Sequence, residues 1–160
     1  MKKGPHLIVY DETNEERLSG LDFGAMKSNS VAPEIRVWLW NKKDFSNAPT
    51  AVDVRVCVKA ANQAGQRAID EKWLLVQSSG VMDPDGVGIV DDEEAIYTAV
   101  GGSLLNVGEY HSIGDIPTNC ARGLNFKLAV PDLDEPVGRP RLIIEVGFFS
   151  EEVKWLYAED

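Results

Sequence analysis

The sequence predicts an all-β sandwich with Greek-key connections, built from about seven to nine strands with at most short helical turns. Three observations predict it. Two-residue alternation of apolar and polar side chains runs through Ile35-Arg36-Val37-Trp38-Leu39-Trp40 and again through Val52-Asp53-Val54-Arg55-Val56-Cys57-Val58-Lys59. It returns in Leu124, Phe126, Leu128 and Val130, and in Leu142, Ile144, Val146 and Phe148. Side chains of a strand point to opposite faces at successive residues, so each run marks a half-buried strand. Finally, loops rich in turn-forming residues separate the runs, and no segment carries a strong helical period.

In chain order, Leu7 to Tyr10 reads as a first short strand, and the acidic stretch 11–19 after it reads as a mobile loop. Leu21-Asp22-Phe23-Gly24 is a second extended piece with Leu21 and Phe23 inward. In the first long strand Ile35, Val37 and Leu39 share one face, while Trp38 and Trp40 lie on the other. A turn-rich gap, Asn41 to Pro49, makes a wide connection to the second, in which Val52, Val54, Val56 and Val58 share a face. Lys72 to Ser78 is apolar on both faces, as a strand covered on both sides would be.

The Gly- and Asp-rich stretch 79–94 reads as a loop, and Ala95 to Val100 fits a helical turn or a short strand equally well. Ser103 to Val107 and Glu109 to His111 read as short extended pieces. Leu124 to Val130 and Leu142 to Phe148 read as a hairpin with a long connection, Pro131 to Pro140. Single helical turns are expected at Gln66 to Glu71, Glu93 to Ala99 or Glu151 to Tyr157, and 151–160 is expected to form a C-terminal tail.

With 160 residues the chain suits one domain, 1–160, able to bury a core without disulfides or metal. Its 26 acidic against 16 basic residues leave a formal charge of −10, which disfavours nucleic acid and anionic lipid, because both are bound by basic residues displacing counterions. Two cysteines, Cys57 and Cys120, are too few and too far apart for a disulfide scaffold or a zinc site, and read as reduced thiols. The N-terminal apolar run is too short for a signal-peptide core, and no window is long enough to span a membrane. The expectation is a soluble protein made in the cytoplasm.

Three features are candidates for function. Asp83-Pro84-Asp85-Gly86-Val87-Gly88-Ile89-Val90-Asp91-Asp92-Glu93-Glu94 aligns with a calcium loop, with Asp83, Asp85, Ile89, Asp91 and Glu94 at ligand positions. Val87 replaces one oxygen ligand, Pro84 is unusual inside such a loop, and no helix leads into it, so a solvated acidic turn explains the stretch without metal. No cofactor is required, and calcium is the alternative. Second, Trp38 and Trp40 could form a platform for sugar rings or for another protein, or be core residues covered by a loop or subunit. Third, Trp155, Leu156 and Tyr157 form an apolar segment suited to docking on its own domain or on a partner. Catalysis has little support: His6 and His111 are isolated in sequence, and no nucleophile elbow, metal-binding histidine pair or phosphate-cradling glycine loop occurs.

Leu21-Asp22-Phe23-Gly24, Glu34 to Asn41 and Val52 to Lys59 together resemble the opening strands of an immunoglobulin-like sandwich. The block Ile116 to Pro131, Ile-Pro-Thr-Asn-Cys-Ala-Arg-Gly-Leu-Asn-Phe-Lys-Leu-Ala-Val-Pro, resembles the penultimate strand of small β-sandwich proteins encoded by tailed bacteriophages and prophages. The resemblance covers about half of the chain. It implies a noncatalytic virion component of the tail, baseplate or capsid surface, a homo-oligomer or part of a virion assembly held by protein–protein contacts. The alternative is a carbohydrate-binding module that stacks sugars on Trp38 and Trp40 and carries a structural calcium ion.

Overall fold

A computed structural model describes residues 5, 7–18, 20–41, 49–82, 97–149 and 156–157. Two antiparallel sheets pack face to face. The first contains β1 (Leu7–Tyr10), β3 (Ser30–Val31), β4 (Ile35–Asn41), β6 (Leu74–Met82), β7 (Thr98–Ala99) and β9 (Ala121–Val130), in the order β1-β4-β9-β6-β7 with β3 also on β9. The second contains β2 (Gly20–Asp22), β5 (Ala51–Ala60), β8 (His111–Ile116), β10 (Arg141–Phe149) and β11 (Leu156–Tyr157), in the order β11-β10-β5-β8 with β2 also on β10. Seven of these strands have four or more residues, and the other four are pieces of two or three residues along their edges.

The alternating runs supply the core. Val37 and Leu39 of β4 and Leu124, Phe126 and Leu128 of β9 face Val54, Val56 and Val58 of β5 and Leu142 and Ile144 of β10, all within one buried cluster. Each run is apolar on its inner face, and burying that face against the opposite sheet is what drives the layers together. The chain changes sheet at every connection except β3–β4, β6–β7 and β10–β11, so sequence neighbours are seldom sheet neighbours, as in Greek-key sandwiches.

That topology corrects the hairpin expectation. β9 pairs with β4 and β6, whereas β10 pairs with β5, β2 and β11, so Pro131 to Pro140 arches from one sheet to the other. The arch is held by the Ser28 hydroxyl, which accepts from the Leu133 amide at 2.6 Å, and by Met26 donating to the Gly138 carbonyl at 2.7 Å. Both edges of β9 are already occupied, which leaves β10 no place beside it.

Other boundaries also move. β6 runs on to Met82 through a register irregularity after Ser78, so 79–82 is strand and not loop. Thr98–Ala99 is strand and not a helical turn, while Ala95 and Ile96 lie outside the described residues. Ser103 to Glu109 is a turn, not extended pieces: the Ser103 hydroxyl accepts from the Leu105 and Asn106 amides, both at 3.2 Å. The helix, α1 (Gln63–Asp70), begins three residues earlier than expected. Asn62 caps it by accepting from the Gly65 amide at 2.8 Å, and the same side chain donates to the Arg139 carbonyl at 2.8 Å, fastening the helix to the start of β10. Leu156–Tyr157 is not helical and is not a free tail, since it pairs with Gly147 and Phe148. Among the described residues no helix is long and apolar enough to cross a membrane.

Candidate interaction surface

Trp38 and Trp40 do lie on the outer face of their sheet, yet they are only 7% and 3% exposed. The segment 11–18 covers them. Tyr10 packs against the pair, the Trp38 indole N–H donates to the Glu12 carbonyl at 3.2 Å, and the Trp40 indole N–H donates to Asn14 Oδ1 at 2.7 Å. The covering segment is shaped by Asp11, whose Oδ1 accepts from the Thr13 hydroxyl at 2.6 Å and the Thr13 amide at 3.1 Å. These bonds hold the Asp11 carboxyl below its usual range. In the sheet, Trp38 stands opposite Gly123 and Trp40 opposite Ala121, small residues that leave room for the indoles, and the Arg36 guanidinium lies over the Trp38 ring at 4.5 Å. The acidic stretch expected to be a mobile loop is thus the lid of a second, smaller core, and neither ring is an exposed platform for sugars.

The second long strand departs from its sequence pattern at one residue. Asp53 has a φ of +52, and the register slips by one residue there against both neighbouring strands. This is a β-bulge, which costs an ordinary side chain about 1–2 kcal/mol of backbone strain, though Asp is among the more tolerant types. The Asp53 amide donates to Asp115 Oδ1 at 2.9 Å. As a result Ala51, not Val52, shares the inner face with Val54 and is fully buried, while Val52 turns outward, 45% exposed, directly across from Phe149, which is 38% exposed. The expectation that four valines share one face therefore fails for Val52.

Two positions beyond the bulge, Arg55 joins this corner to the Ser103–Glu109 turn. Its guanidinium stacks over the Tyr110 ring at 4.0 Å, donates to the Leu104 carbonyl at 3.0 Å and lies 3.6 Å from the Asp53 carboxylate. Leu104 is buried and anchors the turn, which presents Leu105 and Val107 to solvent at 64% and 89% exposure. Asn106 Nδ2 donates to Glu109 Oε2 at 2.8 Å and keeps the turn closed. Val52 and Phe149 thus stand exposed opposite one another on β5 and β10, and the turn that Arg55 holds through the Leu104 carbonyl exposes Leu105 and Val107; exposed apolar side chains on a bonded frame mark a candidate contact surface.

The remaining titratable groups brace the fold. His111, at the head of β8, makes hydrogen bonds with the Thr98 hydroxyl at Nδ1 (3.0 Å) and the Ser78 hydroxyl at Nε2 (3.1 Å), bridging the two sheets, and burial pulls its pKa down. Neither cysteine is in a disulfide. Cys57 Sγ lies 3.7 Å from Glu145 Oε2 on the neighbouring strand, and burial followed by that carboxylate pushes the thiol up to about 12. Such a thiol is a poor nucleophile at neutral pH.

Comparison of the chain with models of known protein families, with curated proteins and with solved structures found no match. Function must therefore be argued from the surface itself. The candidate calcium loop, Asp83 to Glu94, lies outside the described residues, as does Trp155. Of the other C-terminal candidates, Leu156 and Tyr157 are placed by their backbone, opposite Phe148 and Gly147. Among the described residues no group of three or more His, Cys, Asp or Glu side chains could hold a metal ion. Sequence reasoning missed Val52, Phe149, Leu105 and Val107. The only signal for them was an apolar pair, Leu105 and Val107, inside a segment otherwise rich in turn-forming residues.

Proposed function

We propose that this chain is a noncatalytic assembly protein, an immunoglobulin-like component of a tailed-phage or prophage virion that works through protein–protein contacts. The observation that carries the reading is the exposure of apolar side chains on a bonded frame: Val52 and Phe149, paired across β5 and β10, and Leu105 and Val107 on the turn that Arg55 holds through the Leu104 carbonyl. A strained bulge turns one of these side chains outward and a hydrogen-bonded turn displays two more, an arrangement that a core has no use for. The virion setting rests on the resemblance of Ile116 to Pro131 to phage sandwich proteins, and the immunoglobulin-like reading on that of Leu21 to Gly24, Glu34 to Asn41 and Val52 to Lys59. The carbohydrate alternative loses its ring platform, since Trp38 and Trp40 are spent on the cover formed by 11–18.

The test is co-expression with the products of the flanking genes, followed by size-exclusion chromatography with light scattering. Tail, baseplate or capsid proteins are expected among those products, and one should co-elute with the chain. Val52→Asp combined with Leu105→Asp should abolish co-elution without lowering the melting temperature appreciably. Flanking genes for glycan-degrading enzymes, or a complex indifferent to these substitutions, would overturn the reading.

A further inference from the structure

The outer face of the first sheet holds an arginine that the fold seats but does not neutralise. Arg55, Arg67 and Arg139 each pair with a carboxylate, whereas among the described residues neither Arg36 nor Lys127 does. Arg36 of β4 stands opposite Asn125 of β9, whose neighbour on β6 is Gln77, and all three are half-buried. The Arg36 guanidinium lies over the Trp38 ring at 4.5 Å, and its Nη1 donates to Asn125 Oδ1 at 3.4 Å. It rests on Gly123, where a Cβ would collide with Nη2, and its Nε is buried with no hydrogen-bond partner. A buried donor without an acceptor costs stability, and a group supplied from outside the chain can provide the missing charge.

Aromatic rings flank this row on both sides. Trp38, opposite Gly123, stands on one; on the other, Lys127 stands opposite Leu75 and holds its ammonium 5.0 Å from the centre of the Tyr97 ring, whose hydroxyl donates to the Glu34 carboxylate. Successive rows on one face of a strand lie about 7 Å apart, so the two rings leave room for a planar group over Asn125 and Gln77. The charges around the row are Arg36 and Lys127 against Glu34, with the exposed Glu12 on the cover that meets Trp38 through its backbone carbonyl.

We infer that this slot binds a monocarboxylate with an aromatic or apolar body. Trp38 takes one face of the guanidinium, and a planar carboxylate meets the in-plane Nη donors with two parallel bonds. Lys127 adds a second positive charge, and the body of the ligand lies between the Trp38 and Tyr97 rings. A dianion such as phosphate is disfavoured by Glu34, by Glu12 and by the formal charge of −10. A small organic acid and the C-terminus of a peptide present the same group. None of the side chains on the contact surface proposed above takes part, so this inference and the assembly reading stand or fall separately.

The experiment is a titration of the full-length, nitrogen-15-labelled chain followed by proton–nitrogen correlation spectra, which report the backbone amides and the Arg36 Nε–H. Benzoate should give saturable shifts at Arg36 Nε–H, Asn125 and Gln77; benzamide should give none, and acetate should bind several-fold more weakly. Arg36→Lys, which keeps the charge and loses the fork, should weaken benzoate about tenfold. Lys127→Met should weaken it several-fold without lowering the melting temperature appreciably. A tripeptide ending in a free Phe carboxylate, compared with its amide, distinguishes the sources: tighter binding than benzoate, lost on amidation, supports a chain terminus, and weaker binding supports a small acid. No saturable shift, equal binding of benzamide, phosphate binding more tightly than benzoate, or shifts indifferent to both Arg36→Lys and Lys127→Met would each overturn the inference.

Discussion

The side-chain amide of Asn41 donates to the carbonyl of Ile116 at 3.0 Å, joining the end of β4 in one sheet to the end of β8 in the other. The same Nδ2 donates to the Pro49 carbonyl at 2.8 Å, just before β5. Asn41 is fully buried, and its own backbone is bonded to the Cys120 carbonyl and the Asn119 amide. One side chain therefore fixes the relative height of the two sheets at this end. Asn41→Ala takes this donor from the buried Ile116 carbonyl and from the Pro49 carbonyl, whose bond is part-buried, and a buried group left unsatisfied costs about 1–3 kcal/mol. Urea unfolding of the variant should show a stability loss of about 2–4 kcal/mol with an unchanged denaturant slope.

The bulge at Asp53 makes a prediction opposite to that of simple alternation. Strict alternation would bury Val52 and Val54 alike, but only Val54 is inside. Val52→Thr should leave stability within about 0.5 kcal/mol, as exposed substitutions do. Val54→Ala should cost about 2–3 kcal/mol, from lost apolar burial and the cavity left behind. Thermal melts of the two variants side by side distinguish the bulged strand from a regular one.

The same strand shows what the sequence could and could not disclose. Apolar spacing of two reports which face a residue is on, so β4, β9 and β10 were legible; it says nothing of which strand lies alongside, so the sheet change between β9 and β10 was hidden. Asp53 is neither Gly nor Pro, and no residue type marks its bulge. β8 was invisible for a related reason: Ile113 and Ile116, both buried, are three residues apart because Gly114, at a φ of +98, interrupts the alternation. Trp38 and Trp40 were correctly placed on the outer face, but their cover comes from Glu12 and Asn14, more than twenty residues away and polar in sequence.

Gly65 reverses the usual expectation for glycine in a helix. Replacing it with Ala would ordinarily stabilise α1 by about 1 kcal/mol. Here a Cβ would collide with the Arg141 carbonyl of β10, a backbone atom that cannot swing away. Gly65→Ala should therefore lower the melting temperature, whereas Gln66→Ala, beside it and exposed, should not. A rise in melting temperature for Gly65→Ala would show that the helix does not press on β10 as described.

His111 gives the fold a pH dependence whose sign follows from its burial. Its folded-state pKa lies below the usual imidazole value, because the seam between β6, β7 and β8 disfavours the charged ring. The unfolded chain then binds the proton more readily, so stability is full above a pH of about 6.5 and falls as the pH drops from there toward the depressed value. Replacing the ring with Gln keeps a donor and an acceptor near the Thr98 and Ser78 hydroxyls and removes the titration. Denaturant unfolding of the His111→Gln variant between neutral and mildly acidic pH should show a shallower loss of stability than the parent chain. Asp22 contributes lower on the scale: the paired Arg139 guanidinium, bonded through Nε at 2.9 Å and Nη2 at 2.7 Å, lowers its carboxyl to about 2. Its stabilising effect is present above about pH 4 and disappears as the pH falls toward 2. The two groups thus act in separate windows, and His111→Gln should change only the upper one.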